Sequence, residues 1–488
     1  MNDSARSYDD IPYPNLACPQ SHPDRLATVA ALFGLAAPPV TSCRVLEIGC
    51  AAGGNLLPMA ATLPGSRFTG LDISPAQIAS ARECLHALAL TNVTLETGSF
   101  AGFQAGSFDY IIAHGVYSWV ESPLQAELLA LCSRLLSPNG VAYVSYNTWP
   151  GSGMRHAMWQ LTRLYASGTV LPGDQITKAR NLFGLIESAF AGRVDPYAQL
   201  VQAETGELRG LDDSYIAHEY LEAANRPCYF HEFATAAASH GLQYLGESEL
   251  QSLGTAGLPP AAADSLRRTA RDLIEAEQFL DFVRHRAFRQ TLLCRAGVEL
   301  KRSIAPGVME PFYIASSAQP AGTGLPGAEP AEFRGRDGTG IMVSDHLTCA
   351  ALLELADAWP LPILFSELAE RAAARARLTS DTGLRRTLAL QLLNHCARSS
   401  AIELHLLPPP FQTAIPPCPE ALPLARWQAQ RSPRVVNGRH ENLILGPAER
   451  GLLPLLDGTR TLEQLRSLAH DAPEILTRLS AASLLCRR

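Results

Sequence analysis

The order of strand-like and helix-like segments predicts an α/β fold, built on a parallel sheet that is covered on both faces. Short apolar runs typical of buried strands occur at 43–48, 67–72, 92–97, 108–113 and 140–146. Segments with helical periodicity lie between them, at 53–63, 75–89 and 122–136. This alternation is that of successive βαβ units. Ligands of such sheets bind at the carboxyl ends of the strands.

The remainder of the chain is expected to add further parts to this core. The predicted divisions are an N-terminal arm over the ligand site (1–40), the core (41–150), an inserted helical cap (151–214), a middle region that completes the sheet (215–298), a winged-helix-like domain (299–408), and a proline-rich bridge with a C-terminal helical unit (409–488). The winged-helix prediction rests on three helical segments followed by the strand-like run "AIELHLL".

Composition excludes several classes of protein. With 488 residues, 47% hydrophobic residues and a net charge of −7, the chain is globular and is not expected to bind nucleic acid. The polar N-terminus is unlike a signal peptide, and no apolar run reaches the roughly 18 residues of a membrane span. The eleven cysteines contain no CxxC pair, which favours reduced thiols and a cytoplasmic protein. "HEYLE" at 218–222 lacks the second histidine of a zinc motif, so no metal site is expected.

The stretch "RVLEIGCAAGGNLLPMA" (44–60) predicts a buried strand, a tight turn of small residues and a helix. A dinucleotide site would need G-x-G-x-x-G, and this frame fails after Gly49. The frame that fits is Glu47-x-Gly49-x-x-x-Gly53, followed by Asp72 at the end of the next strand. This is the arrangement of class I S-adenosylmethionine (SAM) methyltransferases, which the stretch resembles.

Each residue of this frame has a separate physical reason. Gly49 and Gly53 let the backbone turn and approach a cofactor closely. Asp72 is placed to accept hydrogen bonds from two ribose hydroxyls, and Glu47 favours the cationic amino end of the methionine moiety. The turn has no basic residue, and SAM has no phosphate that would require one.

A narrower resemblance covers about residues 8 to 480. It rests on "YDDIPYPNLACPQSHPDRLATVAALFGL", "FDYIIAHGVYSWV", "SYNTWPG", "HEYLE", "NRPCYF", "QFLDFVRHRAFRQTLLC" and "LLPLLDGTRTLEQL". These motifs resemble bacterial class I methyltransferases with a methyltransferase regulatory domain, a family that includes rickettsial protein-lysine methyltransferases acting on outer-membrane protein B. The resemblance implies a seven-stranded Rossmann-like class I methyltransferase core with a helical insertion, a C-terminal winged-helix-like helical domain, SAM as cofactor and S-adenosylhomocysteine as product.

The expected cofactor residues come from the arm and from four strand ends. They are Tyr8, His22, Glu47, Gly49, Cys50, Ala51, Gly53, Asn55, Asp72, Ile73, Gln77, Gly98, Ser99, Phe100, His114, Gly115 and Tyr117. Ser99 stands where the family often has an acidic residue, so adenine recognition is expected to depend on the backbone and Phe100.

The fourth strand ends in His114-Gly115-Val116-Tyr117. Nucleobase and glutamine amino-methyltransferases carry Asn/Asp-Pro-Pro-Tyr there, and the missing prolines argue against methylation of a base. Aromatic faces hold a methylammonium by cation–π attraction. The expected catalytic residues are Tyr117, His114, Trp119, Tyr146 and Asn147.

Three functions remain open from sequence. The leading hypothesis is methylation of lysine side chains in a protein substrate, with outer-membrane or unfolded proteins among the candidates. The first alternative is a small-molecule methyltransferase acting on a natural product. The second is a nucleic-acid-binding regulator that uses the winged-helix-like region, where arginines outnumber acidic residues over 370–386.

Overall fold

The computed structural model describes residue 9 and residues 11–169, 171–321 and 330–487. Within these ranges the largest sheet has seven strands. They are β1 (Arg44–Ile48), β2 (Arg67–Asp72), β3 (Val93–Thr97), β4 (Phe108–Ala113), β5 (Leu136–Asn147), β6 (Leu242–Glu247) and β7 (Phe288–Arg295). Their order is β3-β2-β1-β4-β5-β7-β6. Strands β1 to β5 are parallel, and β7 runs antiparallel to both β5 and β6. The predicted seven-stranded class I fold is confirmed.

Helices cover both faces of this sheet. Those nearest the first five strands are α1 (Pro23–Leu32), α2 (Leu56–Thr62), α3 (Pro75–Ala87) and α4 (Ser122–Leu135). Helix α3 shows why the sequence starts a helix there: Pro75 occupies the first turn, and the Ser74 hydroxyl accepts a hydrogen bond from the Gln77 amide at 3.1 Å. One buried cluster includes Val45, Tyr110 and Tyr143, and the opposite face carries Leu46, Ile111 and Val144.

A helical insertion follows β5. It consists of α5 (Gly153–Ala166), α6 (Pro172–Phe190), α7 (Pro196–Leu208) and α8 (Asp213–Ile216), and it ends in a π-helical turn at Ala217–Leu221. The chain then forms α9 (Phe230–Ser239), α10 (Pro260–Thr269) and α11 (Leu273–Arg284), which accompany the last two strands. The π turn contains the first four residues of the "HEYLE" motif, and such turns are frequent at functional sites.

The following region forms two small sheets and three helices. The elements are β8 (Tyr313–Ser316), β9 (Gln319–Pro320), β10 (Ala331–Arg334), β11 (Gly340–Val343), α12 (His346–Ala358), β12 (Ile363–Leu364), α13 (Phe365–Ala376), α14 (Thr382–Cys396) and β13 (Ile402–His405). The C-terminal unit contains α15 (Pro423–Ala429), β14 (Arg434–Val436), β15 (Asn442–Ile444), α16 (Pro447–Leu452), α17 (Leu462–Leu468) and α18 (Ala472–Ala481).

The C-terminal unit packs against the N-terminal arm beside the core. The Asn442 side chain exchanges two hydrogen bonds with the backbone of Ala17, at 3.0 and 2.8 Å. The region before it is held to α1 by His405, which lies 2.9 Å from the Asp24 carboxylate. Segments from both ends of the chain therefore meet next to the turn between β1 and α2.

Candidate active site

The turn between β1 and α2, residues 47–55, is here called the cofactor turn. Gly49 and Gly53 have φ angles of +73° and +77°, which glycine adopts without strain. A Cβ on Gly49 would lie 2.9 Å from the Val116 side chain, so the position is also sterically restricted. Ala51 adopts a φ of 47° although it has a side chain, and Cys50 is buried beside it.

Asp72 fixes this turn from the end of β2. Its carboxylate accepts hydrogen bonds from the Ala51 amide and the Ser74 amide, both at 2.8 Å. Burial raises the pKa of Asp72, although the amides of Ser74, Ala51 and Ile73 act in the opposite direction. Each carboxylate oxygen keeps a second lone pair, which is the acceptor capacity that a ribose diol requires.

Glu47 lies beneath the same turn. Its Oε1 accepts a hydrogen bond from Asn55 at 2.7 Å, and its buried Oε2 has no partner among the described residues. Burial raises the pKa of Glu47 to about 8. Asn55 in turn accepts hydrogen bonds from the Cys18 amide at 2.8 Å and from His440 at 2.7 Å. The network therefore joins the arm and the C-terminal unit to the cofactor turn.

The carboxyl end of β3 and the first turn of α3 lie on the other side of Asp72. The Gly98 amide donates to the Asp72 carbonyl at 2.8 Å, and a Cβ on Gly98 would meet open space. Phe100 is buried, whereas Ser99 is exposed and accepts a hydrogen bond from the Ala101 amide. Gln77 is buried, and its Nε2 has no partner among the described residues. These groups form an open, partly apolar cradle at the strand ends.

The neighbouring strand ends, residues 114–119 and 145–149, are here called the acceptor edge. His114 Nδ1 lies 2.9 Å from the Tyr143 hydroxyl, 3.3 Å from the Ser145 hydroxyl and 3.7 Å from the Cys18 thiol. Burial lowers the pKa of His114, but Cys18 and Glu47 act more strongly in the other direction, and the net shift is upward. Gly115, with a φ of +65°, donates its amide to Ser145.

The aromatic candidates of this edge separate into two groups. Tyr117 and Tyr146 are buried with Phe233, which stacks on Tyr146 at 4.2 Å and meets Tyr117 edge-on at 5.1 Å. The Tyr146 hydroxyl pairs with Thr291 at 3.1 Å. Tyr146, one of the predicted catalytic residues, lies with its ring 5.8 Å from that of Tyr117. Trp119 is half-buried at the end of the same short turn.

Asn147 faces the same side of β5 as Tyr143 and Ser145, because side chains alternate along a strand. Its amide Nδ2 donates to Asn225 Oδ1 at 3.2 Å, and both asparagines are buried. The Ser118 hydroxyl accepts a hydrogen bond from the Asn147 backbone amide at 2.8 Å. The Asn147 side chain is thereby held at the carboxyl end of the sheet.

Sequence reasoning overlooked Glu219 on the π turn. Burial raises the pKa of Glu219 to about 7, and the carboxyl has no hydrogen-bond partner among the described residues. It lies close enough to His114 for each to shift the other's pKa. The sequence signal for Glu219 was the "HEYLE" motif. It was considered only as a zinc motif and was rejected because its second histidine is missing.

Cys18, Tyr143, Asn225 and His440 were also overlooked. Two of them, Cys18 and Asn225, lie inside motifs that carried the resemblance, but only the fold shows what they touch. His22, an expected cofactor residue, caps α1 and meets the ring of His440 at 5.2 Å, and His440 in turn bonds Asn55 of the cofactor turn. Tyr8 lies outside the described residues.

The described part of the chain contains neither a cluster of metal-binding side chains nor a helix suited to span a membrane. Among those residues, no group of three or more His, Cys, Asp or Glu side chains is arranged to hold a metal ion. No helix within the same ranges combines the length and the apolar character needed to cross a membrane.

Three segments of the chain match known families. Residues 46–142 match the family described as "Methyltransferase domain", and residues 212–295 match "Predicted methyltransferase regulatory domain". Residues 418–473 match "PKMT, C-terminal winged helix domain". The last match lies C-terminal to residues 299–408, where the sequence placed the winged-helix-like domain.

Similar proteins span these segments. The uncharacterized protein RP028 of Rickettsia prowazekii is 36% identical over 47% of this chain and 93% of its own length. The uncharacterized protein RP789 of the same organism is 37% identical over 63% of this chain, and the match spans 56% of the relative. The structure of PKMT2 from Rickettsia typhi in complex with AdoHcy has a TM-score of 0.86 at 27% identity, covering 97% of this chain and 100% of that one.

The fold and the site therefore define a class I methyltransferase. The chain belongs to the family of S-adenosylmethionine-dependent methyltransferases that carry a methyltransferase regulatory domain. The cofactor turn fits SAM on two observations: free acceptor capacity on Asp72, and the unpartnered buried oxygen of Glu47, which suits a cationic amino group.

Proposed function

We propose that this chain transfers methyl groups from SAM to lysine side chains of a protein substrate. The observation that carries the proposal is the extent of the likeness to PKMT2 from Rickettsia typhi. That likeness covers the cap, the regulatory region and the C-terminal unit as well as the sheet. Methyl transfer alone requires only the sheet, so the shared additional parts favour a shared kind of acceptor.

The acceptor amine must be deprotonated and aligned before transfer. Bound SAM supplies a methyl group on a positively charged sulfur, and an in-line displacement needs positioning more than covalent help. A lysine ammonium has no lone pair for the attack, so its proton must leave first. Partial desolvation beneath the cap lowers the pKa of the amine and makes this step easier.

Glu219 is the proposed acceptor of that proton. A carboxyl with a pKa of about 7 is about half ionised at neutral pH, which suits a general base. Its charge acts on the pKa values of both His114 and Tyr13, and no salt bridge joins it to an arginine among the described residues. Arg155, the cation with the largest effect on its pKa, already pairs with Glu204 at 3.1 Å and Glu207 at 2.8 Å.

Asn147, Tyr117 and Trp119 are proposed to orient the amine. Because Asn147 Nδ2 donates to Asn225, Asn147 Oδ1 remains available to accept from an N–H of the amine. Tyr117 and Trp119 present aromatic surface, which attracts a methylammonium by about 0.5–2 kcal/mol each. The side chains of Asn147, Tyr117 and Trp119 are thus expected to set the direction in which the amine approaches.

The test is transfer of labelled methyl from SAM into a bacterial extract, followed by separate protease, nuclease and small-molecule fractionation. Label that protease releases supports the proposal. Label in the small-molecule fraction favours the natural-product alternative, and label that nuclease releases favours a nucleic-acid acceptor. Asp72→Ala serves as the cofactor-deficient control, and Glu83→Ala, which removes an exposed acid on α3, serves as its matched control.

A further inference from the structure

The hairpin between β14 and β15 extends from the C-terminal unit to the cofactor turn. His440 lies in the loop of this hairpin, and its Nε2 is 2.7 Å from Asn55 Oδ1. Both residues are buried, at 6% and 7% exposed. Asn442, at the start of β15, holds Ala17 of the arm by two hydrogen bonds. The C-terminal unit is therefore in direct contact with a residue that is expected to bind the cofactor.

The Asn55 side-chain amide uses all of its hydrogen-bonding capacity. Its Oδ1 accepts from the Cys18 backbone amide at 2.8 Å, besides its contact with His440. Its Nδ2 donates to Glu47 Oε1 at 2.7 Å and to the Ser21 hydroxyl at 2.9 Å. A side-chain amide has two acceptor sites and two donor hydrogens, so every one of them is occupied. Because a backbone amide can only donate, the atom facing Cys18 must be the oxygen, and His440 must donate the second bond to it.

The His440 ring is held in one neutral form. Burial and the neighbouring His22 ring lower the pKa of His440 well below its usual range, so the ring is neutral near pH 7. A neutral imidazole carries one N–H, and the bond to Asn55 places that hydrogen on Nε2. His440 therefore gives Asn55 one hydrogen bond without adding a charge beside Glu47.

The backbone of the hairpin loop holds His440 in place. His440 has a φ of +62°, which is uncommon for a residue with a side chain. Asn437 Oδ1 accepts from the backbone amides of Arg439 and Glu441, both at 2.9 Å. The Arg439 side chain also pairs with Glu403 of β13 at 2.7 Å. The loop is thus fixed on both sides of His440, and its ring is directed at Asn55.

We infer that His440 is a positioning residue of the cofactor site, through which the C-terminal unit takes part in binding the methionine end of SAM. With its oxygen bonded to two N–H groups, the Asn55 amide presents its Nδ2 to Glu47 Oε1. Glu47 Oε2 then stays free for a cationic amino group. The residues expected to bind adenosine lie at the ends of β2 and β3, so His440 is expected to affect the methionine end selectively.

The test measures the binding of two ligands to the full-length protein by titration calorimetry. S-adenosylhomocysteine carries the amino-acid end of the cofactor, whereas methylthioadenosine has the same adenosine part without it. His440→Ala removes the donor, and His440→Gln retains an N–H at a similar distance from the backbone. The control His470→Ala removes an exposed histidine of the same unit. Unfolding midpoints are recorded for every variant.

His440→Ala is expected to weaken S-adenosylhomocysteine binding by about tenfold, because Asn55 Oδ1 loses one of its two donors and keeps only Cys18. Methylthioadenosine affinity should stay unchanged, because this ligand has no amino group. His440→Gln and His470→Ala should bind both ligands as wild type does. If His440→Ala unfolds, His440→Asn replaces it, because its shorter amide keeps a polar side chain but places the N–H short of Asn55.

Three results would overturn the inference: a wild-type affinity of His440→Ala for S-adenosylhomocysteine, an equal loss for both ligands, or the same loss in His440→Gln as in His440→Ala. A purely structural role of His440 would give the second or the third. Neither ligand can donate a methyl group, so the outcome is independent of the acceptor and leaves the lysine proposal to its own test.

A double-mutant cycle with Glu47→Gln tests the route from His440 to the cofactor. Glu47→Gln lacks the carboxylate that Asn55 orients, so adding His440→Ala to it should change S-adenosylhomocysteine affinity by less than about twofold. A further tenfold loss in the double variant would mean that His440 does not act through Glu47, and the inference would fail.

Discussion

The cofactor turn and the acceptor edge lie on adjacent strands but are assembled differently. The turn is held mainly by nearby residues: Asp72 binds the amides of Ala51 and Ser74. The acceptor edge brings together positions as distant as Cys18, His114 and Asn225. The backbone of the turn is therefore fixed locally, although its Asn55 also bonds Cys18 and His440, whereas the acceptor edge depends on the whole fold. Changes at the turn should alter cofactor affinity, whereas changes at the edge should alter turnover.

The largest expected effect is that of Glu219→Gln at the acceptor edge. If Glu219 accepts the proton, kcat should fall about 100- to 1000-fold while SAM affinity stays unchanged. The wild-type kcat should also fall about tenfold per pH unit below pH 7, because the protonated carboxyl cannot accept a proton. The variant should lack that dependence. Steady-state kinetics across pH, with exposed Glu474→Gln as control, measure this. A variant with the wild-type kcat would remove Glu219 from the chemistry.

Asp72→Ala tests the cofactor turn, the other region of this comparison. Loss of two hydrogen bonds to a charged group should weaken SAM binding by about 100-fold. Titration calorimetry with SAM measures the affinity, and Glu83→Ala is expected to retain the wild-type value. An Asp72→Ala protein that binds SAM normally but turns over slowly would reverse the assignment of binding to the turn and turnover to the edge.

Glu47 predicts a pH dependence of cofactor affinity. Its pKa of about 8 means that it is mostly protonated at pH 7 without cofactor, whereas a cationic amino group favours the carboxylate. SAM affinity should therefore increase by up to about tenfold per pH unit from pH 6 to pH 8 and then level off. Calorimetry in buffers of different ionisation enthalpy should detect proton release on binding. Glu47→Gln should abolish both effects; if the variant keeps them, the titrating group lies elsewhere.

The smallest expected effect concerns backbone geometry. Gly49→Ala forces a side chain into a left-handed conformation and towards Val116, which should cost about 1–2 kcal/mol of stability. Gly184→Ala, in the interior of α6 with open space around it, should instead stabilise by about 0.5–1 kcal/mol. Thermal unfolding of both variants shows whether each substitution raises or lowers the stability of the protein. A stabilising Gly49→Ala would contradict the strained geometry of the turn.

The sequence predicted the cofactor turn better than the acceptor edge, because the backbone of the turn is fixed by nearby residues and the edge is assembled from distant ones. The spacing of Glu47, Gly49, Gly53 and Asp72 was sufficient for the class of cofactor, because a strand–turn–helix imposes its geometry locally. The seven-stranded fold was also confirmed, since β6 and β7 carry readable strand patterns. The individual site residues remain predictions.

The contacts within the acceptor edge could not be predicted from residue spacing. Tyr146 remains a predicted catalytic residue; strand alternation places it on the opposite face of β5 from Tyr143, Ser145 and Asn147, and its hydroxyl pairs with Thr291. Counting residues along β5 would have found this. One contact of the cofactor turn was equally hidden: that of His440 with Asn55 spans 385 residues, and no local pattern could have revealed it.

The central claim is that the methylated group is a lysine side chain, and hydrolysis of labelled protein followed by amino-acid analysis tests it most directly. The chain itself has only two lysines, Lys178 and Lys301, so self-labelling is easily separated from labelling of a substrate. The proposal predicts that the label is recovered as methyl-lysine with wild type and is absent with Asp72→Ala. Recovery of the label on another residue, or outside protein altogether, would contradict it.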